Sequence, residues 1–558
     1  MQLQREQQTS FARGMNDTSA PGEFNADEVA LLYNGRVSFL GNALDVRGGS
    51  AKTHGSALNS GTQGLGGKEF VTAAGAQQIC VFVGNKFYYS TDEGATWTNP
   101  SGATGLATAY WSMVQMRVGA SNYLVCVNGS TAAYYWDGTT WGTLANAPAG
   151  AKYAAVFNDR LYLAGHSGVE VAACAVANPA SWAAPAGFTV QFTTHDGEQE
   201  ITGLYQLGPV LLAFKRESTG YLEGFGFNTI DVEAGGRGLS RSVGLLAHRS
   251  IAPAGTQGCA WLSELGFVHY QIGGVIELIS RPVQNFMDTV SYTNIKSLSG
   301  QPTAMYWPQK NEYWCAIPSA TGQNDYVFRW RPATATSPPC VMLDTTTDTG
   351  THTVFVNATT GNLEFQADQT RDLIALSSGN ITVVTKTTGG LYAEIDSGNL
   401  ALDETGYDHT TLFTADRDTD GDITAPWSVG YDGFVRKCEI GTTDNSSTVA
   451  ADDGIAIELR VKSRPFVFGD NLRRKVGRTF RISSTQDAVA AVTLIPVYDG
   501  NDGASKTISM PISSDFGPVA KKTRTKVKGF SLQADIRTTS SLSLAGIEAI
   551  ATVMREGY

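Results

Sequence analysis

The chain lacks long apolar runs, a secretion signal and a cysteine pattern, and each absence excludes a class of protein. No run approaches the roughly 18 apolar residues of a membrane helix, so we expect no membrane span. The opening MQLQREQQTS lacks the basic-then-apolar pattern of a signal peptide, which predicts synthesis in a cytoplasm without ordinary secretion. The seven cysteines are widely spaced and form no CxxC pair, which excludes a disulfide framework or zinc site. We expect them to be buried apolar side chains in a reducing compartment.

Charged residues are also scarce, and they are unevenly placed. They make up 17% of the 558 residues, whereas glycine occurs 61 times. Short apolar bursts separated by such sequence are typical of β-structure with many tight turns. The net charge is −11, but residues 451–558 carry 16 Lys and Arg against 11 Asp and Glu. This basic end on an acidic body predicts a docking surface in one part of the chain, not a nucleic-acid binder overall.

The first 70 residues predict an N-terminal platform segment. Asn25 or Asp27 is a suitable cap for a short helix through Glu28 and Leu32. After Asn34, the stretch RVSFLGNALDVR alternates in polarity and predicts a pair of strands.

Residues 71–345 contain repeated strand–turn–strand cassettes, which predict the blades of a β-propeller. Asp92 and Asp137 occupy equivalent turns 45 residues apart, a spacing that matches a four-stranded blade of about 40–50 residues. Five or six such units favour a propeller, and two stacked sandwiches are the competing interpretation.

The rest of the chain divides into three segments. Residues 346–425 are rich in Thr, Asp and Gly, and they predict an inserted β-rich tip or fin. Residues 426–451 return to the blade pattern and are predicted to close the propeller. Residues 452–558 predict a β-sandwich platform, immunoglobulin-like or jelly-roll-like. The fold class expected is therefore mainly β, with a propeller, a sandwich platform and an inserted tip.

The string STDEGATW, residues 90–97, resembles the Asp-box of sialidases and other β-propellers. Its Asp can accept backbone N–H groups and its Trp can pack between strands, which is a structural task. A sialidase also needs clustered arginines, a Tyr nucleophile with a Glu partner and an acid Asp, and the Arg-Ile-Pro motif is absent. Two of the carboxylates Asp196, Glu198 and Glu200 could serve as a glycosidase pair, but a solvated turn explains all three more simply. We expect no enzyme.

The residues Asp416, Asp418 and Asp420 match the start of a calcium loop, D-x-D-x-D-G. The twelfth position of that loop is Trp427, which cannot supply a bidentate carboxylate. Calcium with ligands from elsewhere and a hydrated acidic turn both stay open. No P-loop, HExxH or triad spacing occurs, so we assign no catalytic, cofactor-binding or metal residue and expect no cofactor.

Two basic strings lie in the last segment, Arg473 to Arg481 and Lys521 to Lys528. If they form strands, alternation places much of their charge on one face. A solvated face and an interface with an acidic neighbour are equally compatible with this pattern.

Several phrases together resemble a known family. They are FARGMNDTSAPGEFNADEVALLYNGRVSFLGNALDVRGG, YYWDGTTW, DGEQEITGLYQLGPVLLAFKRES, GLLAHRSIAPAGTQGCAWLSELGFVHYQIGGVIELIS and RKVGRTFRI. The chain resembles the tail nozzle proteins of short-tailed bacteriophages, also called tail tubular protein B or packaged-DNA stabilisation protein. The likeness covers most of the chain except 346–425.

The resemblance implies a structural virion protein of the tail, assembled in the host cytoplasm. It implies a homohexameric ring below the tail adaptor and portal, with tail fibres or spikes nearby. Such a ring retains packaged double-stranded DNA and conducts it during ejection. Alternatives are a carbohydrate-binding or glycan-cleaving propeller enzyme and a tail-tip or stopper component of a long-tailed phage. Trp261, Phe286 and the 346–425 insertion are the candidates for a gate.

Overall fold

The computed structural model describes most of the chain. The described residues are 2–38, 43–130, 132–193, 199–223, 237–296, 301–318, 323–345, 354–356, 363–365, 373–376, 381–386, 390–395, 400–402, 409–416, 424–440, 451–452, 455–469, 473–486, 488–513, 519–525, 528–540 and 542–553. Within them the protein is mainly β.

The strands before and within the blades follow in chain order. The N-terminal strands are β1 (Gln2–Gln8), β2 (Gly14–Met15), β3 (Glu28–Tyr33), β4 (Gly35–Val37), β5 (Leu44–Val46) and β6 (Gly49–Lys52). The blade strands are β7 (Gly64–Val71), β8 (Gln77–Val83), β9 (Lys86–Ser90), β10 (Ser112–Val118), β11 (Ser121–Val127), β12 (Tyr134–Trp136), β13 (Trp141–Thr143), β14 (Tyr153–Phe157), β15 (Arg160–Ala164), β16 (Glu170–Ala173), β17 (Phe188–Gln191), β18 (Gly203–Leu207), β19 (Val210–Phe214), β20 (Thr219–Glu223), β21 (Arg237–Ser240), β22 (Ala252–Pro253), β23 (Gly258–Ser263), β24 (Gly266–Gln271), β25 (Ile276–Leu278), β26 (Thr303–Trp307), β27 (Glu312–Ile317), β28 (Tyr326–Arg331) and β29 (Cys340–Thr345).

The later strands and the helices complete the described elements. The strands are β30 (Val354–Val356), β31 (Leu363–Phe365), β32 (Leu373–Leu376), β33 (Ile381–Lys386), β34 (Gly390–Ile395), β35 (Leu400–Leu402), β36 (His409–Asp416), β37 (Thr424–Gly430), β38 (Val435–Ile440), β39 (Ala451–Asp452), β40 (Ile455–Ala456), β41 (Leu459–Ser463), β42 (Lys475–Thr485), β43 (Ala490–Tyr498), β44 (Asn501–Asp502), β45 (Lys506–Met510), β46 (Val519–Arg524), β47 (Lys528–Gly529), β48 (Leu532–Thr538) and β49 (Ser543–Val553). The helices are α1 (Gln284–Met287) and α2 (Tyr292–Lys296), with 3₁₀ turns at Leu58–Gly61, His248–Ser250, Arg281–Val283 and Pro308–Lys310.

Six consecutive blades form a β-propeller, which confirms the predicted mainly β fold with a propeller. Strands β10–β13, β14–β17, β18–β21 and β22–β25 are four-stranded antiparallel sheets joined in chain order. The first blade, β7–β9, gains isolated bridges to Thr98 and Thr104, and the sixth begins with β26–β29. The turn at Asn158 and Asp159, between β14 and β15, has positive φ at both residues, 47° and 55°, as a tight two-residue hairpin requires.

A further sheet lies between the sixth blade and the first. It contains β36, β37, β38 and the N-terminal strand β6, and β36 packs against both β7 and β26. Close approach depends on glycine, because a Cβ on Gly67 would lie 2.7 Å from the ring of Phe413. The propeller therefore starts at residue 64, inside the predicted 1–70 segment. Its strands resume at residue 409, inside the predicted 346–425 insertion.

The two ends of the chain fold together beside the sixth blade. The sheet of β26–β29 continues through β2 and β3 into β41, β48 and β43. A second sheet contains β4, β5, β49, β42 and β46, and β1 pairs with β49. Inward residues of both sheets, such as Leu494 and Ile547, belong to one hydrophobic cluster. The sandwich topology predicted for 452–558 stays a prediction, because N-terminal strands are part of both sheets.

The predicted helix at Glu28 to Leu32 is wrong, because this segment is strand β3. Val29 and Leu32 are fully buried, and β3 pairs with β41 on one side. Asn25 does bond to the Glu28 carboxylate, through its backbone N at 2.9 Å, but tertiary pairing overrides this local capping signal. The strand pair predicted after Asn34 is confirmed as β4 and β5.

Two other predictions concern the chain as a whole. All seven cysteines are free and buried, which confirms their predicted burial. In the part of the chain that the structure describes, no helix has the length and apolarity to cross a membrane. The tip predicted for 346–425 stays a prediction, because much of that segment lies outside the described residues; β30–β31, β32–β35 and β33–β34 pair within it.

A buried ion network joins the N-terminal strands, the sixth blade and the further sheet. Its centre is Glu312, a fully buried side chain. Arg36 Nη1 and Arg331 Nη2 each donate to a different Glu312 oxygen at 2.8 Å. Trp314 Nε1 donates to the same carboxylate at 3.0 Å. Burial alone would raise the pKa of Glu312, but these guanidinium groups lower it to about 2, so the carboxylate is held ionised.

The network extends from Glu312 to a second group of charges. Arg36 also pairs with Glu439 on β38, and Arg329 Nη2 lies 3.1 Å from Glu439 Oε1. Arg329 pairs with Asp344 and stacks 3.9 Å from the centroid of the Trp314 ring. Each buried charge therefore has an opposite charge beside it, as burial in a low dielectric requires.

Replacing Glu312 with Gln should destabilise the fold strongly. Arg36 and Arg331 would lose a buried counter-charge, which typically costs about 3–5 kcal/mol. Denaturant unfolding followed by tryptophan fluorescence measures the shift of the midpoint. The matched control is Glu264→Gln, which removes an exposed pair with Arg216 and should cost at most about 1 kcal/mol. Equal shifts for the two variants would contradict a central role for Glu312.

Candidate functional site

The Asp-box folds as a hairpin staple at the end of β9. Asp92 Oδ1 accepts a hydrogen bond from Ser90 Oγ at 2.7 Å and another from Thr96 N at 2.9 Å. Burial would raise the pKa of Asp92, but the hydrogen bonds from Thr96 and Ser90 lower it overall. Its carboxylate is thereby used within its own turn, so the motif serves to fix the turn.

The same turn attaches the first blade to the further sheet. Glu93 Oε2 accepts from Lys437 Nζ at 2.6 Å. Trp97 packs against the cluster that contains Val81 and Trp427. The Asp-box therefore has a structural role here: it contributes to closure of the propeller ring.

The candidate functional site is a cavity of about 650 Å³ at the centre of the propeller. The first strands of the blades supply its wall, together with β36 and the turn before β22. This volume lies within the range of small-ligand sites, about 300–1,000 Å³. Residues that matter for its chemistry are Lys68, Tyr205, His248, Arg249, Tyr306 and Thr411.

The turn before β22 projects His248 and Arg249 across the cavity. His248 Nε2 lies 3.1 Å from Ser112 Oγ on β10, and its ring packs 4.9 Å from that of Tyr153. Arg249 Nη2 donates to Thr410 O at 2.8 Å and Thr411 Oγ1 at 2.5 Å. This pair thus connects opposite parts of the ring and obstructs its axis.

Arg249 also reaches two further neighbours. Its Nη2 donates to Thr303 Oγ1 at 3.3 Å, and its guanidinium lies 4.6 Å from the centroid of the Tyr110 ring. Such cation–π contacts favour a charged guanidinium in a partly desolvated site. The charge of Arg249 is therefore fixed beside β26 and β36.

Burial changes the acid–base properties of the basic groups in the cavity. Burial and the neighbouring Arg249 lower the pKa of His248 to about 4, so the imidazole is neutral at pH 7. Burial lowers the pKa of Arg249 to about 10, and the guanidinium is still charged. Burial lowers the pKa of Lys68, and Glu69 opposes this shift.

Among the described residues, no Asp or Glu side chain lines this cavity. Glycoside cleavage by the usual route needs two carboxyl groups about 5–9.5 Å apart. The cavity wall supplies cations, hydroxyls, amides and apolar groups instead. Its electrostatic character favours binding of an anion over acid–base catalysis by a carboxylate pair.

Most of the predicted carboxylate and metal residues lie outside the described residues. Glu200 is exposed, while Asp196 and Glu198 lie outside the described residues. Asp416 ends β36, and Asp418 and Asp420 lie outside the described residues. No cluster of three metal-ligating side chains occurs in the described ranges. Calcium binding at Asp416, Asp418 and Asp420 therefore stays a hypothesis from the sequence.

Two of the three gate candidates are core residues. Trp261 is fully buried and Phe286 is 5% exposed. Trp261 Nε1 donates to Gly244 O at 2.9 Å, and Phe286 packs edge-on against Tyr326. Neither side chain lies on a surface that could line a passage. The sequence showed their bulk but not their burial.

The two basic strings lie on neighbouring strands of one sheet. On β42 and β46, Arg481 is directly opposite Lys522, and Thr479 is opposite Arg524. Arg481, Lys522 and Arg524 are exposed, whereas Lys475 is buried and donates to Phe530 O at 2.8 Å. Directly opposed residues share a face, so the sheet presents a basic face, here defined by Arg481, Lys522 and Arg524.

Sequence reasoning missed the His248–Arg249 turn and Lys68. Arg249 and His248 occur in the phrase GLLAHRSIAPAG, between two strand patterns, where a short turn is expected. Their convergence with Ser112 and Thr411 depends on ring closure, which no local pattern specifies. Lys68 lies in the glycine-rich strand GLGGKEFV. A lysine in the innermost strand of a blade is the signal from which this cavity could have been predicted.

Comparison with known proteins finds only distant structural similarities. No protein-family model and no curated protein matches the chain. The chain is similar to the extracellular domain of the hybrid two component system BT4673 from B. thetaiotaomicron, at 10% identity and a TM-score of 0.31, covering 72% of this chain and 40% of that one. For BamB from Moraxella catarrhalis the values are 9%, 0.33, 72% and 93%. For an exo-beta-1,3-galactanase from Phanerochaete chrysosporium they are 10%, 0.26, 82% and 99%.

Replacing His248 with Gln should remove part of the acid sensitivity of the fold. Because the pKa of His248 is below the ordinary 6.5, the unfolded chain binds more protons than the folded chain between pH 4 and 6.5. Stability is therefore full above pH 6.5 and falls as the pH drops towards 4. The difference in unfolding midpoint between wild type and variant, measured across this range, should shrink at acid pH. Between pH 7 and 8 that difference should be constant, and a constant difference down to pH 4 would contradict the assignment.

Proposed function

We propose that this protein is a structural component of a phage tail, a hexameric nozzle that closes the tail, retains packaged DNA and conducts it into the host. The proposal is based on the sequence phrases that resemble those of tail nozzle proteins. The supporting structural observation is that both chain ends fold into one body that continues directly from the sixth blade. A virion component must transmit force between neighbours, and such continuity provides a stiff connection.

Charge supports the same function. The first 450 residues carry a net charge of −16, since the whole chain has −11 and residues 451–558 have +5. An acidic wall repels the phosphate backbone, so DNA slides past it without being retained by contact. The basic face of Arg481, Lys522 and Arg524 suits an acidic adaptor, and tail fibres or spikes would attach nearby.

The propeller axis itself is an unsuitable route for DNA. The central cavity holds about 650 Å³, which is the size of a small-ligand site and too small for a segment of double helix. His248 and Arg249 also cross it. A conduit must therefore be formed between copies of the chain, which requires closed heterologous contacts around a ring.

A glycan-binding propeller is the second candidate, and one observation favours it. The central cavity has the volume of a small-ligand site and a polar wall with several hydroxyls. This function would need only a single copy of the chain. Oligomeric state therefore separates the two candidates.

Electron microscopy of the purified protein with its neighbouring tail proteins tests the nozzle. We expect six-fold rings that stack on the adaptor. The double variant Lys522→Glu and Arg524→Glu should still form rings but should lose adaptor binding by at least tenfold, because the basic face reverses its charge. Lys86→Glu, on the propeller strand β9, is the control and should bind normally. Monomers that turn over a fluorogenic glycoside would overturn the proposal.

The insertion supplies a second test. Replacing residues 351–408 with a short Gly/Ser linker keeps β29 and β36, which belong to the propeller. If the segment is a distal tip or fin, rings should assemble normally while phage particles lose packaged DNA. Genome retention after nuclease treatment measures this. Failed ring assembly with a stable monomer would show that the segment acts in subunit contacts.

A further inference from the structure

The central cavity carries positive charge without an opposing carboxylate in its described wall. Lys68 and Arg249 both line it, and no Asp or Glu does among the described residues. Partly desolvated cations that lack a counter-ion cost free energy, which a bound anion recovers. We propose that this cavity is a binding site for a small organic or inorganic oxyanion, a carboxylate or a phosphate on a molecule of sugar size.

Lys68 is the group that would contact the ligand. It lies on β7, the innermost strand of the first blade, and is only partly buried. No hydrogen bond or ion pair to its ammonium occurs within the described residues, and its charged neighbour is Glu69, the next residue in the strand. Because successive strand residues point to opposite faces, Glu69 does not occupy the space in front of Lys68. The ammonium is therefore free to donate to an oxyanion.

Arg249 supplies a second positive charge from a fixed position. Its Nη2 is fully used by Thr303, Thr410 and Thr411. Its Nη1 is buried and has no hydrogen-bond partner among the described residues. Since this nitrogen lies beneath the cavity surface, Arg249 attracts the anion through space while Lys68 contacts it. Neutral His248 neither adds to nor opposes this field at pH 7.

The size and the wall of the cavity define the class of ligand. About 650 Å³ admits a mono- or disaccharide-sized molecule but no polymer segment of duplex DNA. Tyr306 and Thr414 provide hydroxyls, and Val114, Val156 and Leu412 provide apolar surface. A compact molecule with one anionic group and several hydroxyls matches such a mixed wall.

Calorimetric titration of the full-length protein tests the site with three probes. Glucuronate and glucose differ in one carboxylate, and inorganic phosphate tests the other oxyanion. We expect glucuronate or phosphate to bind at least tenfold more tightly than glucose, with affinity falling as salt concentration rises. Binding of glucuronate alone identifies a carboxylate site, and binding of phosphate alone identifies a phosphate site. Equal affinity for glucose and glucuronate together with no binding of phosphate, or no binding of any probe, overturns the proposal.

Variants assign the binding to Lys68. Lys68→Gln should weaken oxyanion binding at least tenfold, Lys68→Arg should retain it, and the control Lys86→Gln, on strand β9 of the same blade, should leave it unchanged. If Lys68→Gln does not fold, the salt dependence of the wild type and the Lys68→Arg result still decide the question. Unchanged binding by folded Lys68→Gln contradicts the assignment. Because Lys68 lines the central cavity within one chain, we expect Lys68→Gln to form rings as the wild type does, so the two proposals fail separately.

Discussion

The fold depends on the charges buried around Glu312. Arg36 comes from the N-terminal segment, Arg331 from the sixth blade, and Glu439 from the strand beside it. Apolar packing is non-directional and tolerates shifts, whereas a buried ion pair is favourable only in one geometry. This network therefore fixes how the propeller and the terminal sheets are oriented, while Trp314 shields it from water.

The sequence predicted what local patterns encode. Alternating polarity and turn residues located the hairpins at Asp92 and Asp137, and with them the propeller. It failed where distant segments meet. Glu28 to Leu32 has a plausible helix cap, but its partner strand lies near residue 461, and no nearby residue reports that pairing. The insertion boundary was placed too late for the same reason, because β36 is recognisable as a propeller strand only when β7 and β26 flank it.

The candidate site, too, depends on contacts between distant segments that local sequence patterns do not encode. The motifs that stood out in the sequence, the Asp-box and the acidic string at Asp416, resemble sites in other proteins. In this structure the Asp92 carboxylate serves its own turn. The groups that converge on the cavity, Lys68 and Arg249, belong to no functional motif in the sequence. Convergence is a property of ring closure, so it could be found only after the strands were placed.

The pairing of β6 with β38 has a consequence for biosynthesis. His54 Nε2 accepts a hydrogen bond from Val435 N, 381 residues further along the chain, so the ring cannot close until nearly four-fifths of the polypeptide has left the ribosome. Until then the apolar faces of the first and sixth blades that pack against β36 and β37 are exposed, and exposed apolar surface is prone to aggregation. A chain that terminates before β38 would keep those faces exposed and be recognised by chaperones and proteases. The late closing strand thus acts as a check that only chains extending beyond β38 complete the ring.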